Sequence, residues 1–124
     1  MAEPIDVLVV EDDADVREAL VFLLEDAGIR AMGATDGLDA LERIEAGFDP
    51  SLILLDLMMP VMDGERFLRI RKDDPRLSRI PVIVVSAMQT MRVDAAEMRV
   101  SAIIPKPVDP QRVIESVRLH APAH

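Results

Sequence analysis

The sequence predicts an α/β domain in which helices cover both faces of a parallel β-sheet. Short aliphatic runs rich in Ile and Val alternate along the chain with amphipathic stretches of helical periodicity. Such runs are typical of strands buried on both faces, and strands that alternate with helices form parallel sheets through right-handed crossovers. A chain of 124 residues can enclose one hydrophobic core but not two. We therefore expect a single domain over residues 1–124, with its core at about 5–121.

The first half of the chain is predicted to contain two strands and two helices. The aliphatic run at 5–10 predicts the first strand, and residues 14–27 predict a helix because their apolar side chains recur at i, i+3 and i+4. Gly28 follows this helix as a C-cap. A weaker strand candidate at 30–34 then precedes a second helix at 37–46.

The second half repeats the alternation. Runs at 51–57 and 81–87 predict two further strands, and residues 64–73 predict the helix between them. Residues 101–104 predict the fifth strand. The segment 88–99 carries apolar residues that could face a core, but the pattern does not define a helix with clear ends.

A last helix is predicted after the fifth strand. Asp109 is a favoured N-cap residue, and Pro110 fits the first helical turn. Val113, Ile114 and Val117 then form an apolar stripe. In sheets of this kind, ligand sites lie at the carboxyl ends of the strands.

Composition and charge exclude several classes of function. Half of the residues are hydrophobic and 30% are charged, as in globular rather than disordered domains. The net charge of −9 argues against direct DNA binding and favours basic partners or metal cations. The absence of cysteine excludes disulfides and thiolate metal sites. No signal-peptide pattern is present and no apolar run approaches the ~20 residues that span a bilayer, so we expect no membrane insertion and a cytoplasmic location.

Residues capable of chemistry lie at the carboxyl ends of four of the predicted strands. They are Glu11, Asp12, Asp56, Ser86 and Lys106. Because the carboxyl ends of parallel strands meet at one edge of a sheet, we expect these side chains to lie close together. Carboxylate oxygens suit Mg²⁺, and a carboxylate can attack phosphorus to give an acyl phosphate. Lys106 could pair with a phosphoryl oxygen, while the Ser86 hydroxyl binds another.

Three short motifs contain or adjoin these residues. They are Val-Leu-Val-Val-Glu-Asp-Asp at 7–13, Asp-Leu-Met-Met-Pro-Val-Met-Asp-Gly at 56–64 and Pro-Lys-Pro at 105–107. In this order and spacing, and across essentially the whole chain, they resemble the receiver domains of two-component response regulators. The resemblance implies a flavodoxin-like (βα)5 three-layer sandwich, similar to the chemotaxis regulators, with strand order 2-1-3-4-5.

The same resemblance implies the acceptor and the metal ligands. Asp56 would accept the phosphoryl group. Mg²⁺ would be held by Glu11, Asp12, Asp56 and the backbone carbonyl of Met58. Asp13 lies one position beyond the metal-binding pair and is left out of the site.

The phosphoryl-binding and switch residues implied by the resemblance are Ser86, Ala87 and Lys106. The Lys106–Pro107 peptide bond is expected to be cis. One switch position is altered, because Ile103 stands where many receivers carry an aromatic residue that moves together with the hydroxyl residue. An aliphatic side chain cannot present a ring or a hydroxyl to a partner.

The segment before the fifth strand also departs from the family pattern. Arg99-Val100 replaces the usual Gly-Ala, and the interval from Ser86 to Lys106 is about two positions shorter than usual. We therefore expect a shortened or irregular fourth helix at 88–99. Many receivers use this surface for dimers and output.

The expected function is that of a stand-alone phosphoacceptor without an output domain. It would take a phosphoryl group from a phosphohistidine on a histidine kinase or histidine-phosphotransfer protein, and the changed surface would alter binding to a downstream protein target. Val21 and Phe22 on the first helix could contact the phosphodonor. We expect a monomer or weak dimer that catalyses only its own phosphorylation and slow self-dephosphorylation. A receiver excised from a larger protein would have the same features.

Three alternatives remain open at this point. The chain could be an interaction module that keeps the fold but no longer switches. It could be a metal-dependent phosphohydrolase, for which Asp13-Ala14-Asp15 is a faint match, although no later acidic pair completes that site. Finally, Glu11-Asp12-Asp13 could be a solvated turn that only caps the first helix.

Overall fold

The computed structural model describes residues 5–56, 64–86 and 99–121, which form five strands and four helices. The strands are β1 (Asp6–Val10), β2 (Arg30–Ala34), β3 (Leu52–Asp56), β4 (Val82–Ser86) and β5 (Ala102–Pro105). The helices are α1 (Ala14–Asp26), α2 (Gly37–Glu45), α3 (Gly64–Asp73) and a last helix (Pro110–His120). Each predicted strand is therefore present, including the weak candidate at 30–34, and so are the four helices predicted with defined ends.

The five strands are parallel and lie in the order β2-β1-β3-β4-β5. This order confirms the predicted flavodoxin-like topology. The central strand, β3, is buried along its whole length, including Asp56 at its end. In register, Asp56 lies beside Val85 of β4, and Ser86 lies beside Pro105 of β5. The carboxyl ends of β3, β4 and β5 are therefore level with one another.

Side chains from the two faces of the sheet pack into two hydrophobic clusters. On one face, residues such as Leu8, Ile53 and Leu55 contact Ala40 of α2 and Phe67 and Leu68 of α3. On the other, residues such as Val7, Val9 and Leu54 pack with Leu20 and Leu24 of α1 and with Val113 and Val117 of the last helix. The fold is therefore a three-layer sandwich, with α1 and the last helix opposite α2 and α3.

Aspartate side chains begin three of the helices. The carboxylates of Asp13, Asp36 and Asp109 accept backbone N–H groups in the first turn of α1, α2 and the last helix. These bonds satisfy donors that have no partner inside the helix. Gly28 follows α1 with a φ of 85°, a left-handed conformation that glycine adopts without steric cost, as the C-cap prediction requires.

A buried arginine joins α3 to the segments before β4 and β5. Arg71 is 2% exposed. Its Nε and Nη2 donate to the carbonyl oxygen of Ile80 at 3.1 and 2.7 Å, and Nη2 also donates to the carbonyl oxygen of Arg99 at 3.3 Å. Burial lowers the pKa of Arg71, and the charge of Arg99 adds to this effect. The guanidinium therefore ties together segments that are distant in sequence.

The predicted fourth helix at 88–99 lies outside the described residues except for Arg99. Leu57 and Ala87, at the predicted ends of two strands, also lie outside them. Arg99 has a φ of 58°. A non-glycine residue in this left-handed region is uncommon, and here it stands at a position where the family pattern has glycine. Within the described ranges, none of the helices is long and apolar enough to span a bilayer.

Candidate functional site

Polar side chains from four strands meet at the carboxyl edge of the sheet. Glu11 follows β1, Asp56 ends β3, Ser86 ends β4 and Lys106 follows β5. Two backbone hydrogen bonds extend the sheet at this edge: Glu11 N–H donates to the Ala34 carbonyl at 3.0 Å, and Lys106 N–H donates to the Ser86 carbonyl at 3.0 Å. The sheet itself therefore fixes the start of both loops that carry the site.

Three carboxyl groups form the acidic part of the site. Glu11 and Asp56 are buried and Asp12 is exposed. One oxygen from each of the three lies within 4.8 Å of the other two. Mg²⁺ is a hard cation that takes oxygen ligands and keeps several waters, so a carboxylate cluster with one solvent-facing member fits it. The donor set is therefore suited to a divalent cation.

The ammonium group of Lys106 faces these carboxylates. Its Nζ lies 3.2 Å from Oδ1 of Asp56 and 3.9 Å from Oε1 of Glu11. The Lys106 side chain is 37% exposed, whereas both acids are almost fully buried. The Lys106–Pro107 peptide bond is cis, as expected. A positive charge thus stands at the surface beside two buried acids.

The pKa of Glu11 is raised from its ordinary 4.5 to about 8, and burial is the largest cause. Hydrogen bonds with Asp56 and Asp12 and repulsion from the Asp56 charge contribute to this rise, and the charge of Lys106 opposes it. A proton on Glu11 relieves the repulsion between neighbouring carboxylates. A divalent cation would instead favour the charged form. Binding of a metal ion to the cluster would therefore displace a proton from Glu11.

An apolar cavity of about 460 Å³ borders the carboxylates. Its lining combines Glu11, Asp56 and Lys106 with aliphatic side chains of β1, β3, α1 and the loop after β5. These walls cannot hydrate a charged group, which accounts for the cost of ionising Glu11. The cavity belongs to the site rather than to a separate one.

The switch positions predicted on β4 and β5 are only partly described. Ser86 is buried at the end of β4. Ile103 pairs with Val84, is half-buried, and packs against the cluster under α2 and α3. Aliphatic packing therefore fills the position that is aromatic in many receivers. Met58 and Ala87 lie outside the described residues.

Asp13 caps α1 and takes no part in the acidic cluster. Its Oδ1 accepts the backbone N–H groups of Asp15 at 2.9 Å and Val16 at 3.2 Å. The capping role considered for Glu11-Asp12-Asp13 is therefore taken by Asp13 alone. A carboxylate committed to a helix cap is poorly placed to act as the nucleophile of a phosphohydrolase.

The structure also reveals a contact that the sequence pattern did not indicate. Nη1 of Arg17, on α1, donates to the backbone carbonyl of Glu11 at 2.9 Å and makes a longer contact of 3.5 Å with that of Asp12. Arg17 lies one helical turn after the N-cap residue Asp13, so its long side chain can reach back to the loop. The spacing between Asp13 and Arg17 is the sequence signal that could have identified this contact.

Known proteins with similar sequences include a response regulator and a transcriptional regulatory protein. The family model described as the response regulator receiver domain matches residues 7–118. Response regulator Rre1 of Synechocystis sp. is 36% identical in an alignment of 124 positions that covers 95% of this chain and 52% of Rre1. The phosphate regulon transcriptional regulatory protein PhoB of Escherichia coli is 32% identical, with 90% of this chain and 49% of PhoB covered. The chain thus spans about half the length of these two relatives. Protein PilG of Pseudomonas aeruginosa is 29% identical, with 94% and 87% covered.

Solved structures support the same assignment. A response regulator receiver protein from Pseudomonas putida superposes with a TM-score of 0.83 and 30% identity, covering 97% of this chain and 100% of that protein. A sensor protein from Polaromonas sp. gives a TM-score of 0.86 at 27% identity, covering 94% and 95%. The chemotaxis protein CheY4 of Vibrio cholerae, at 21% identity and a TM-score of 0.82, shares the fold. Because the family match extends over residues 7–118, this protein belongs to the family of response regulator receiver domains.

Proposed function

We propose that Asp56 accepts a phosphoryl group from a phosphohistidine and that the phosphorylated domain then binds a different protein partner. The observation that carries this proposal is the convergence of Asp56 with Glu11, Asp12 and the Lys106 ammonium at the carboxyl edge of the sheet. Acids and a lysine in one pocket supply a nucleophile, a metal-binding set and a group that pairs with phosphate oxygens.

Asp56 is the nucleophile in this proposal. One carboxylate oxygen attacks phosphorus, the bond from phosphorus to the histidine nitrogen breaks, and the imidazole leaves with the electron pair and takes up a proton. The product is an acyl phosphate on Asp56. Asp56 ends the central strand β3 and pairs with Val85 of β4, so its carboxyl group presents a fixed direction of attack.

Glu11, Asp12 and Asp56 would hold Mg²⁺, together with the backbone carbonyl of Met58. When bound, Mg²⁺ neutralises negative charge on the carboxylates and the phosphoryl oxygens. Glu11 must lose its proton to join this ligand set, because a neutral carboxylic acid is a poor ligand. The solvent exposure of Asp12 leaves room for the water ligands that Mg²⁺ retains.

Lys106 and Ser86 would recognise the transferred group. The ammonium of Lys106 already lies 3.2 Å from an Asp56 oxygen, so a small displacement brings it to a phosphoryl oxygen. Ser86, one residue beyond the register partner of Asp56 on β4, would donate its hydroxyl, and we propose the following residue, Ala87, as a further phosphoryl-binding position. Ile103 would respond to phosphorylation through its aliphatic packing contacts, because it has no aromatic ring to move.

The proposed partners are a histidine kinase or histidine-phosphotransfer protein and a downstream protein target. Phe22 on α1 is 72% exposed and offers an apolar contact on the helix that borders the site. The net charge of −9 argues against DNA as a direct ligand. We propose a monomer or weak dimer in the cytoplasm that catalyses only its own phosphorylation and slow self-dephosphorylation.

Incubation with Mg²⁺ and a small acyl phosphate tests the proposal. Intact-mass spectrometry should show that the wild type gains one phosphoryl group and that Asp56→Asn gains none. Asp49→Asn removes an exposed acid far from the cluster and should gain the group like the wild type. Folded wild type that gains nothing, or Asp56→Asn that gains as much as wild type, would contradict the assignment.

A further inference from the structure

Arg17 holds the loop that carries the acidic pair. Its Nη1 donates to the carbonyl of Glu11 at 2.9 Å and approaches that of Asp12 at 3.5 Å. Two other bonds hold the same loop: Glu11 N–H donates to the Ala34 carbonyl at 3.0 Å, and Asp13 N–H donates to Oε2 of Glu11 at 3.4 Å. The donors of these two bonds are backbone N–H groups, whereas the Arg17 bond comes from a cationic side chain of α1.

Gly33 of β2 provides the space in which the Arg17 side chain lies. A Cβ at position 33 would stand 2.9 Å from Cδ and 3.1 Å from Cγ of Arg17. Gly33 pairs with Val9 in the middle of β2 and does not have the positive φ of Gly28 or Gly47. Backbone conformation therefore does not require glycine here. The absence of a Cβ at this position instead allows the arginine stem to lie close against the strand.

We propose that Arg17, seated over Gly33, is a positioning residue for the metal site. By fixing two successive carbonyl groups it fixes the backbone from which the Glu11 and Asp12 carboxylates project. The inference rests on the proposed Mg²⁺ site. Groups that orient metal ligands in this way commonly change metal affinity when they are removed.

Charge and positioning predict opposite effects, which makes the proposal testable. Arg17 is a cation close to two metal-binding acids, so its charge alone would oppose Mg²⁺. Removing the charge should then tighten Mg²⁺ binding. Removing a positioning residue should weaken Mg²⁺ binding, because the carboxylates of Glu11 and Asp12 are then no longer held toward the same metal position. The sign of the change in affinity separates the two roles.

The experiment measures Mg²⁺ affinity by isothermal titration for the metal-free wild type and four variants. Arg17→Met removes the guanidinium, Arg17→Lys keeps the charge without the planar fork, and Gly33→Ala displaces the arginine without altering it. Arg79→Met is the charge-matched control, because Arg79 is exposed in the loop before β4, at the opposite edge of the sheet. Urea unfolding of each variant reports stability separately from metal binding.

Arg17→Met and Gly33→Ala should each weaken Mg²⁺ binding by about tenfold. Arg17→Lys should also bind more weakly than wild type, and Arg79→Met should bind like wild type. Gly33→Ala should unfold at a urea concentration close to that of wild type, because a flexible side chain can move aside and alanine suits a strand better than glycine.

Unchanged or tighter Mg²⁺ binding by Arg17→Met would overturn the positioning role. If Arg17→Met does not fold, Gly33→Ala decides, and wild-type affinity in that folded variant would equally overturn the proposal. A wild type that shows no Mg²⁺ binding would instead contradict the proposed metal site itself, and with it this inference. Weakened binding in both variants with unchanged Gly33→Ala stability would support the role.

Discussion

At the proposed Mg²⁺ site, Lys106 would compete with the cation for the same carboxylates, so we predict that Lys106→Met binds Mg²⁺ more tightly than wild type. Lys106 Nζ lies 3.2 Å from the nearest Asp56 oxygen. Unit charges at that distance attract by about 5 kcal/mol at an effective dielectric constant of about 20, and by about 1 kcal/mol in water. The lysine side chain is 37% exposed, so solvent screening favours a value of about 1–2 kcal/mol. Loss of this competitor should tighten Mg²⁺ binding about tenfold.

Isothermal titration at about pH 9 measures this effect most directly, because that pH lies above the pKa of about 8 for Glu11. Near pH 7 the gain should be smaller, since loss of Lys106 also raises the pKa of Glu11 and a proton then competes with the metal. Lys72→Met provides the control, because Lys72 is the other lysine of the chain and lies near the end of α3. Unchanged or weaker Mg²⁺ binding by Lys106→Met at the higher pH would refute the competition argument.

Three further predictions concern stability. Without divalent ions, the free energy of unfolding should fall as pH rises from about 4.5 to about 8: the raised pKa of Glu11 keeps a proton on the folded protein that the unfolded chain releases, so this stability is fully present below 4.5 and lost through 8. Glu11→Gln should remove most of that pH dependence in urea titrations, and an unchanged slope would show that another group causes it. Arg71→Met should lower the free energy of unfolding by about 2–4 kcal/mol, because the carbonyls of Ile80 and Arg99 lose a charged donor. Arg69→Met, exposed on the same helix, should change it by less than about 0.5 kcal/mol, and equal effects would contradict the role of Arg71. Asp13→Ala should cost about 1 kcal/mol through the lost helix cap, yet change Mg²⁺ affinity much less than tenfold, whereas a tenfold loss would place Asp13 in the metal site.

The sheet could be predicted because each strand is a short aliphatic run. β3 and β4 are buried on both faces, so their sequences contain few polar residues and are easily recognised. The placement of Asp56 followed from the same feature, because an acid that ends a buried strand emerges at the carboxyl edge. β2 was the weakest prediction because it is an edge strand, with only Ala34 fully buried.

The burial of Arg71 could not be predicted. The helical period identifies the side of α3 that faces the core, but it does not show whether a polar side chain on that side is buried. Phe67 and Leu68 mark the buried face of α3, and Arg71 lies one turn further along it. An arginine there normally reaches solvent. Its carbonyl partners, Ile80 and Arg99, are set by how two loops fold, and that information is not local in the sequence.

The contact between Arg17 and Gly33 was missed for a similar reason. The sequence places Arg17 on the first helix and Gly33 in an edge strand, but their approach depends on how α1 packs against β2. The raised pKa of Glu11 likewise depends on apolar walls supplied by several elements. The sequence therefore predicted that Glu11, Asp12, Asp56 and Lys106 lie close together, and the structure was needed for the protonation of Glu11 and for the support by Arg17.

The carboxyl-edge site draws on strands that are far apart along the chain: Glu11, Asp56, Ser86 and Lys106 come from β1, β3, β4 and β5 or the loops that follow them. No short fragment of the protein contains it, and long loops must close before it exists. A molecule with any one of these strands detached lacks the pocket. If Asp56 is the acceptor, a small acyl phosphate would phosphorylate only natively folded molecules. The labelled fraction would then count only the domains whose sheet is complete, and it would exclude partly opened forms that spectroscopic averages record as folded.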